Sequence, residues 1–561
     1  VSLFNRLQNR TRKSTSYDGT LDATEAQHVA IDDLTKTLYV DQTRRNSVAI
    51  QQWMAEHRAR TGLLYRVEWE PFSDISRRRE EIRQTYAGQK GPQETSNTAR
   101  NQAIGMLKIA AQCRASDVHV LKRKDHTEIQ FRIKKTLMVY RELNNTEGEA
   151  LLVALYRLCS SQDNTIKPLE TQDGGITGQI LDGTGLENVR LVRGPAYPAN
   201  DGGGHMELRL QYREKSEGSG ALPAGVTLRL PRRPEGELKL ASYGFSEDQI
   251  DRLKYIATQP SGVLLLTGPT GSGKTTTIYE LAKWQARTDP GKRLVGIEQP
   301  VEYPMPWAVQ LEISNALDSK TAGERFQANL RYSLRMDPDR LIIGEIRDAE
   351  VALTTFDAAQ TGHGVLSTLH IEDPFEFPTR LQNMNFERLS FRVTCNSSVI
   401  RGVVAQRLLP LLCPHCKELW TVNDERMPQR AAQALATWGD TSSTYKIHPG
   451  GCSRCQYTGA GSVTSVAEVV ETDEELMNDL ITKGIAIARR RFRSRPEADT
   501  PMVEKAIKLA LEGLVDPYTI IREVDKIPSR EQVDRDRRIG RAERARAAQD
   551  AAALAREEEI A

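Results

Sequence analysis

Apolar and polar positions change their rhythm several times along the chain. Residues 1 to about 95 combine a helical pattern over 47–60 with a short strand-like run over 63–70, and carry no assignable chemical motif. The stretch 88–97 is polar and rich in turn formers and reads as a linker. From Thr98 onward Ala103, Ile104, Met106, Leu107, Ile109 and Ala110 recur at helical spacing. Residues 117–121 and 128–133 alternate as strands do, a helix is expected over 147–159, and strands return at 206–212 and 226–230. Together these predict a small α/β domain over 96–235.

A third unit opens with a helix over 246–257, in which Ile250, Leu253 and Ile256 share a face. Next comes an unbroken apolar run, 262–267, too short for a buried helix and suited to a central parallel strand. Helices and short apolar strands then alternate over 240–410, the pattern of a parallel sheet covered by helices. A cysteine-bearing region follows over 411–470, then a helical region over 471–528. The tail, 529–561, is dominated by Arg, Glu, Asp and Ala, and reads as a solvated helix or a disordered segment.

Composition narrows this picture in three ways. A length of 561 residues suggests three or four domains. Lys and Arg total 77 against 75 Asp and Glu, a formal charge of +2, so the global footprint of a dedicated nucleic-acid binder is absent. Only 7 Cys occur, four of them in two pairs, which fits metal ligation in a reducing compartment better than a disulfide framework. No run approaches the roughly 18–20 apolar residues of a membrane span, and the first ten residues hold no apolar signal core. A cytoplasmic protein with at most peripheral membrane contact is expected.

The sharpest chemical signal follows the apolar run. Gly268, Pro269, Thr270, Gly271, Ser272, Gly273, Lys274 and Thr275 fit the spacing G-x-x-x-x-G-K-[ST], with Thr276 opening an expected helix over 276–286. Glycines let backbone N–H groups converge on phosphate oxygens, Lys274 reaches the β- and γ-phosphates, and Thr275 offers its hydroxyl to Mg²⁺. The implied ligand is ATP with Mg²⁺. Beyond a second apolar strand, 341–343, Glu345 stands where a carboxylate activates water for attack on the γ-phosphate, and is the expected catalytic base. The alternative for it is a surface acid capping the next helix, a role open equally to Asp348. Glu298 and Glu302 follow another strand, 294–297, at the edge where α/β sheets bind ligands. His363 and His370 bracket a short strand-like run and are expected to sense the γ-phosphate or a neighbouring subunit.

These motifs, in this order, resemble the secretion ATPase family of type II secretion and type IV pilus assembly. The matching runs are the phosphate loop, Glu298 to Glu302, Arg335 to Asp348, and Thr361 to His370. Ala115 to His119 and Glu207 to Arg209 resemble the family's preceding domain, and Gln406 to Leu409 the run leading into its zinc motif. The resemblance implies a RecA-like motor domain preceded by a smaller, PAS-like α/β domain, with ATP bound between them. It further implies a hexameric ring at the cytoplasmic face of the bacterial inner membrane, docked on a membrane platform protein. Arginines of the first domain would complete the site, and Arg209 and Arg229 match best by position, with exposed strand arginines as the alternative. Three departures mark a divergent branch. Gln299 replaces the family's middle Asp, the turn after Phe131 lacks Asp-Gly, and His370-Ile-Glu replaces His-Thr-Asn.

Cys413 and Cys416, then Cys452 and Cys455, form two C-x-x-C knuckles 35 residues apart. Four thiolates around Zn²⁺ make a closed structural site, and the resemblance ties that quartet to assembly and secretion members rather than retraction members. The reading is a hexameric ATPase powering pilus or pseudopilus extension. Its rivals are a DNA translocase or conjugative motor, supported only by the basic run 489–495, and a nucleotide-gated scaffold with little turnover.

Overall fold

The computed structural model describes residues 28–32, 35, 37–51, 53–54, 66–87, 92–160, 165–213, 222–313 and 319–560, which divide into two units at Ala103/Ile104. In the first unit β1 (Val29–Asp32) pairs antiparallel with β2 (Thr37–Asp41), and β2 pairs parallel with β3 (Arg66–Glu70). Helix α1 (Phe72–Ala87) packs on β1 and β2. Residues 48–51 and 53–54 are helical; the remainder of the helix expected over 47–60, and positions 63–65 of the strand-like run, lie outside the described residues. The linker reading of 88–97 is corrected at its C-terminal half: α2 spans Pro92–Gln112. Proline is tolerated in a first turn, where its missing N–H has no intrahelical partner to lose.

The second unit begins with a six-stranded antiparallel sheet. Its strands are β4 (Asp117–Lys122), β5 (Thr127–Ile133), β6 (Thr136–Leu143), β7 (Gln172–Ile176), β8 (Leu186–Pro195) and β9 (Gly204–Tyr212), in the order β6-β5-β4-β9-β8-β7. Helix α3 (Asn145–Arg157) packs on β4 and β5. The β5–β6 hairpin turns through Lys134 and Lys135 at φ 49° and 67°. Two left-handed residues in a two-residue loop are what a twisted hairpin requires, so lysines do here what Asp-Gly does at lower steric cost. The strand expected over 226–230 is corrected: only Arg229 makes a bridge, to Val139. Pro223, Pro231 and Pro234 flank it without N–H donors, and Leu230 is exposed, so neither a ladder nor a buried face supports a strand.

The larger sheet comprises β10 (Gly262–Thr267), β11 (Leu294–Glu298), β12 (Val309–Glu312), β13 (Arg340–Ile343), β14 (Gly364–Leu369), β15 (Ile400–Leu412) and β16 (Ala460–Glu471). The order is β12-β11-β13-β14-β10-β15-β16, with the first six parallel and β16 antiparallel to β15. Alternate side chains feed two cores. Val263, Leu265, Val295, Ile297, Leu341 and Ile343 serve one face, and Leu264, Leu266, Leu294, Ile342 and Leu366 the other. Burial on both faces is why these strands read as continuous apolar runs. Helix α4 (Glu247–Thr258) precedes the sheet and starts at a capping box between Ser246 and Gln249. Helices α5 (Lys274–Thr288), α6 (Ser319–Ser333), α7 (Ala349–Gln360) and α8 (Phe377–Met384) are interleaved with the parallel strands.

Helices α9 (Glu474–Thr482), α10 (Ile485–Arg493), α11 (Met502–Leu511) and α12 (Pro517–Glu523) follow the sheet. The tail resolves to the helical alternative: α13 (Arg530–Ile560) is continuous and packs against α10. Gly540 permits that approach, since a Cβ there would lie 2.6 Å from the Arg490 carbonyl oxygen. The basic run is not a free cationic face. Arg489 pairs with Asp373, Arg490 with Glu543, Arg491 with Asp479, Arg493 with Glu468 and Arg495 with Asp473.

Candidate active site

Parallel strands deliver their C-terminal ends to one edge of a sheet, and side chains placed just beyond those ends converge there. Here the phosphate loop follows β10, Glu298 ends β11, Glu345 stands two residues beyond β13, and His370 directly follows β14. Gly268, Gly271 and Gly273 have φ of 140°, 79° and 86°. A Cβ on Gly268 would lie 2.5 Å from the Gln406 carbonyl oxygen and 2.6 Å from Ser272 Oγ. The tight loop therefore needs glycine there, and it leads directly into a helix whose first residue is Lys274. Lys274 Nζ bridges the loop, donating to the carbonyls of Gly268 (2.9 Å) and Pro269 (2.7 Å). Burial, reinforced by the nearby Arg407, holds its ammonium below the ordinary lysine value. Ser272 Oγ is buried without a partner among the described residues, and Thr275 lies half-buried in the first turn of α5. Thr276 Oγ1 lies 3.0 Å from the Tyr303 hydroxyl. This donor-rich cradle fits a polyphosphate, with Thr275 available to its magnesium ion.

Both oxygens of Glu345 are held. Oε1 lies 3.1 Å from His370 Nε2, and Oε2 accepts from Arg347 Nε at 2.7 Å. His370 Nδ1 faces the Gly268 carbonyl at 3.2 Å, so one imidazole ties the carboxylate to the phosphate loop. Arg347 Nη1 also donates to Gln299 Oε1 at 3.1 Å. The substituted position thus braces the arginine that braces Glu345. The capping alternative falls to Asp348, whose side chain accepts from the backbone N–H groups of Glu350 and Val351 at 3.0 Å each. Sequence reading passed over Arg347; its signal was its place two residues after the acid.

Glu298 is buried, accepts from Gln310 Nε2 at 2.7 Å, and has its pKa pushed up to about 7 by burial. Glu302 is exposed, and with Glu312 adds to the upward shift. Because the folded value exceeds the ordinary 4.5, the native state binds this proton more tightly than the unfolded chain does. Stability therefore falls as pH rises from the unfolded value through the folded one. Glu298→Gln is expected to remove that fall, worth at most about 3.5 kcal/mol at about 1.4 kcal/mol per unit. Thermal unfolding of wild type and variant at about pH 5 and pH 8 measures it; equal pH dependence in the two contradicts the assignment.

The other expected residues stand elsewhere. His363 precedes β14, so the six residues of that strand, about 20 Å at 3.3 Å each, separate it from His370. Its Nδ1 faces the Ala358 carbonyl at 2.9 Å, at the opposite edge of the sheet. Arg209 lies at that same edge. Its Nε donates to Asp117 at 2.9 Å and its Nη2 lies 3.5 Å from Asp337, which precedes β13. Arg229 pairs with Glu142. The first α/β domain is docked on the strand-starting edge through a buried polar network in which Arg132 grips Asp337 and Asp339 and Arg293 meets Glu207. Burial holds His119, within that network, well below the usual imidazole value. Among the described residues His119, His205 and Arg293 retain buried polar atoms without hydrogen-bond partners, so this interface is only partly satisfied.

The four knuckle cysteines converge. Cys413 and Cys452 have Sγ atoms 3.9 Å apart, and Cys416–Cys455 and Cys452–Cys455 are each at 3.8 Å. Thiolates at about 2.3 Å around a tetrahedral zinc stand about 3.8 Å apart, so the set fits the ion. The N–H groups of Cys452 and Gly459 donate to Cys455 Sγ at 3.1 and 3.2 Å, and hold that thiol down to about 6. His415 Nε2 instead accepts from Arg454, outside the quartet.

The sequence profile of the family described as type II/IV secretion system protein matches residues 101–526. Type II secretion system protein E of Dickeya dadantii is 32% identical over 371 residues, 66% of this chain and 64% of that protein. Type II secretion system protein HxcR of Pseudomonas aeruginosa is 30% identical over 420 residues, 74% of this chain and 75% of its own. Type IV pilus assembly ATPase PilB of Thermus thermophilus is 28% identical over 401 residues, 71% of this chain and 40% of its own. The chain thus spans less than two thirds of the Dickeya and Thermus proteins.

Proposed function

Because this chain belongs to the type II/IV secretion system protein family, we propose that it is an ATP-hydrolysing motor that powers extension of a type IV pilus or a type II secretion pseudopilus. The observation that carries the reading is the convergence of Lys274, Glu345, His370 and Glu298 on one sheet edge around the phosphate cradle. Glu345 orients and deprotonates the attacking water. Lys274 turns from the loop carbonyls to the β- and γ-phosphates, Thr275 and Glu298 serve the magnesium side, and His370 relays the γ-phosphate's presence to Glu345. ATP supplies the transferable phosphoryl group and Mg²⁺ neutralises its charge. Four cysteines hold Zn²⁺ for structure.

The chain works as a hexameric ring, cytoplasmic and peripheral to the bacterial inner membrane, pushing on a platform protein there. Arg209 and Arg229 are bound to the carboxylates of Asp117 and Glu142, and reach phosphates only when the first domain moves. The polar, partly unsatisfied interface suits a contact that must break each cycle. Ion pairing of the 489–495 arginines removes the local support for a DNA motor. Phosphate release by the assembled protein is the test. The rate is expected to be unchanged by duplex DNA at low salt, whereas many-fold stimulation with steep salt dependence would overturn the reading in favour of a translocase.

A further inference from the structure

Among the described residues five arginines are buried, and four of them meet carboxylates. Arg132 pairs with Asp337 and Asp339, Arg293 with Glu207, Arg491 with Asp479, and Arg495 with Asp473. The fifth is Arg407, 4% exposed. It forms no ion pair among the described residues, and its Nη1 donates only to the neighbouring Gln406 carbonyl at 3.1 Å. Glu372, Asp525 and Glu523 act on it from a distance. A guanidinium stays charged under all ordinary conditions, so burying one unpaired is costly unless an anion is due to join it.

Its position says which anion. Strand β15 outruns β10: Ala405 pairs with Thr267, which leaves Gln406 and Arg407 beside the phosphate loop. Gln406 Oε1 accepts from Thr277 Oγ1 on α5 at 2.9 Å, fixing one side of the strand to the loop's helix. Successive strand residues point to opposite faces, so Arg407 takes the other side. There Nη1 stands 3.1 Å from the point a Cβ on Gly268 would occupy. Arg407 also acts directly on the charge of Lys274. Two buried cations, one paired only with loop carbonyls and one unpaired, thus flank a single glycine-rich loop.

We infer that Arg407 is a second cationic ligand of the bound nucleotide's phosphate chain, supplied by the motor domain's own β15 independently of any arginine brought by the first domain. The inference rests on the ATP-binding reading above. A guanidinium offers two parallel donors to a phosphate where the Lys274 ammonium acts as a point charge, so the two are complementary.

Calorimetric titration of the full chain with ATP, ADP and adenosine, in wild type, Arg407→Gln and Arg407→Lys, tests it. Arg407→Gln is expected to weaken ATP and ADP binding about ten-fold or more while leaving adenosine unchanged, and Arg407→Lys to recover part of the loss. Wild-type ATP affinity in Arg407→Gln, or an equal loss for adenosine, overturns the inference. Should neither variant fold, the phenylglyoxal reactivity of Arg407 in wild type, mapped by mass spectrometry, is expected to fall when ATP is added, and unchanged reactivity overturns it equally. Wild type that binds no ATP would refute the ATP-binding reading itself, a result distinct from each of these.

Discussion

Glu345→Gln is expected to bind ATP with the affinity of wild type and to hydrolyse it at least about 10²-fold more slowly. The substitution keeps the side chain's shape and one of its two acceptor oxygens, which can still accept from Arg347 while the new amide NH2 faces His370 Nε2. It removes the group that takes the proton from water. Binding is spared because the cradle is made by the loop, Lys274 and the start of α5, and Lys274 hydrogen-bonds loop carbonyls rather than Glu345, whose charge acts on it only at a distance. Arg347→Ala should reproduce part of the defect with the carboxylate intact, because Glu345 then loses one of its two braces. Steady-state phosphate release beside equilibrium nucleotide binding separates these outcomes. Equal, negligible turnover in wild type and Glu345→Gln, with ATP bound in both, would leave a nucleotide-gated scaffold.

Zinc removal has the second large effect. The chain is expected to carry about one zinc ion, and either chelation or Cys416→Ser is expected to lower the melting temperature of the zinc region on the order of 10 °C. The knuckles stand at the paired ends of β15 and β16, where Leu412 meets Ala460, and fasten the insert that runs between those strands. Short strands at Glu418–Leu419 and Tyr445–Lys446 pair over two residues only, and Cys413 N–H donates to the Gly459 carbonyl. Trp420, Met427 and Leu435 share an apolar cluster with Ile507 and Ile520, so the loss is regional rather than global. Lys274-dependent ATP binding should survive, since the quartet is a closed site with no open coordination position. Metal analysis with thermal unfolding before and after chelation measures this; a zinc-free protein of unchanged stability contradicts the assignment.

Much of the domain built on the seven-stranded sheet was legible because its strands are buried on both faces. Runs such as 262–267 and 341–343 stand out as unbroken apolar segments, and the phosphate loop, Glu345 and His370 sit at their ends. The antiparallel domain was harder. Strand β8 escaped notice because a bulge between Leu186 and Asn188 shifts its alternation, and β6 because its hairpin turns through two lysines. The strand expected over 226–230 failed because alternation with a single bridge, Arg229 to Val139, does not extend into a ladder. His363 illustrates a further limit. It and His370 share a sequence motif, yet a strand keeps its two ends far apart, and only parallel topology tells which end bears the chemistry. Arg347 and Arg407 were invisible as functional residues because a charge reads as surface until its burial or its partner is known. For the basic run at 489–495 the missing information ran the other way: carboxylates from five separate positions neutralise it.

ATP is expected to move the first α/β domain relative to the domain that carries the phosphate loop. Fluorophores introduced at Arg157 and Tyr255, exposed positions on α3 and α4, report that motion by energy transfer in the assembled protein. In Glu345→Gln, which holds ATP without spending it, the transfer efficiency is expected to differ clearly from the nucleotide-free state and to return on ATP removal. An efficiency that stays the same with saturating ATP bound would contradict a motor that works by domain motion.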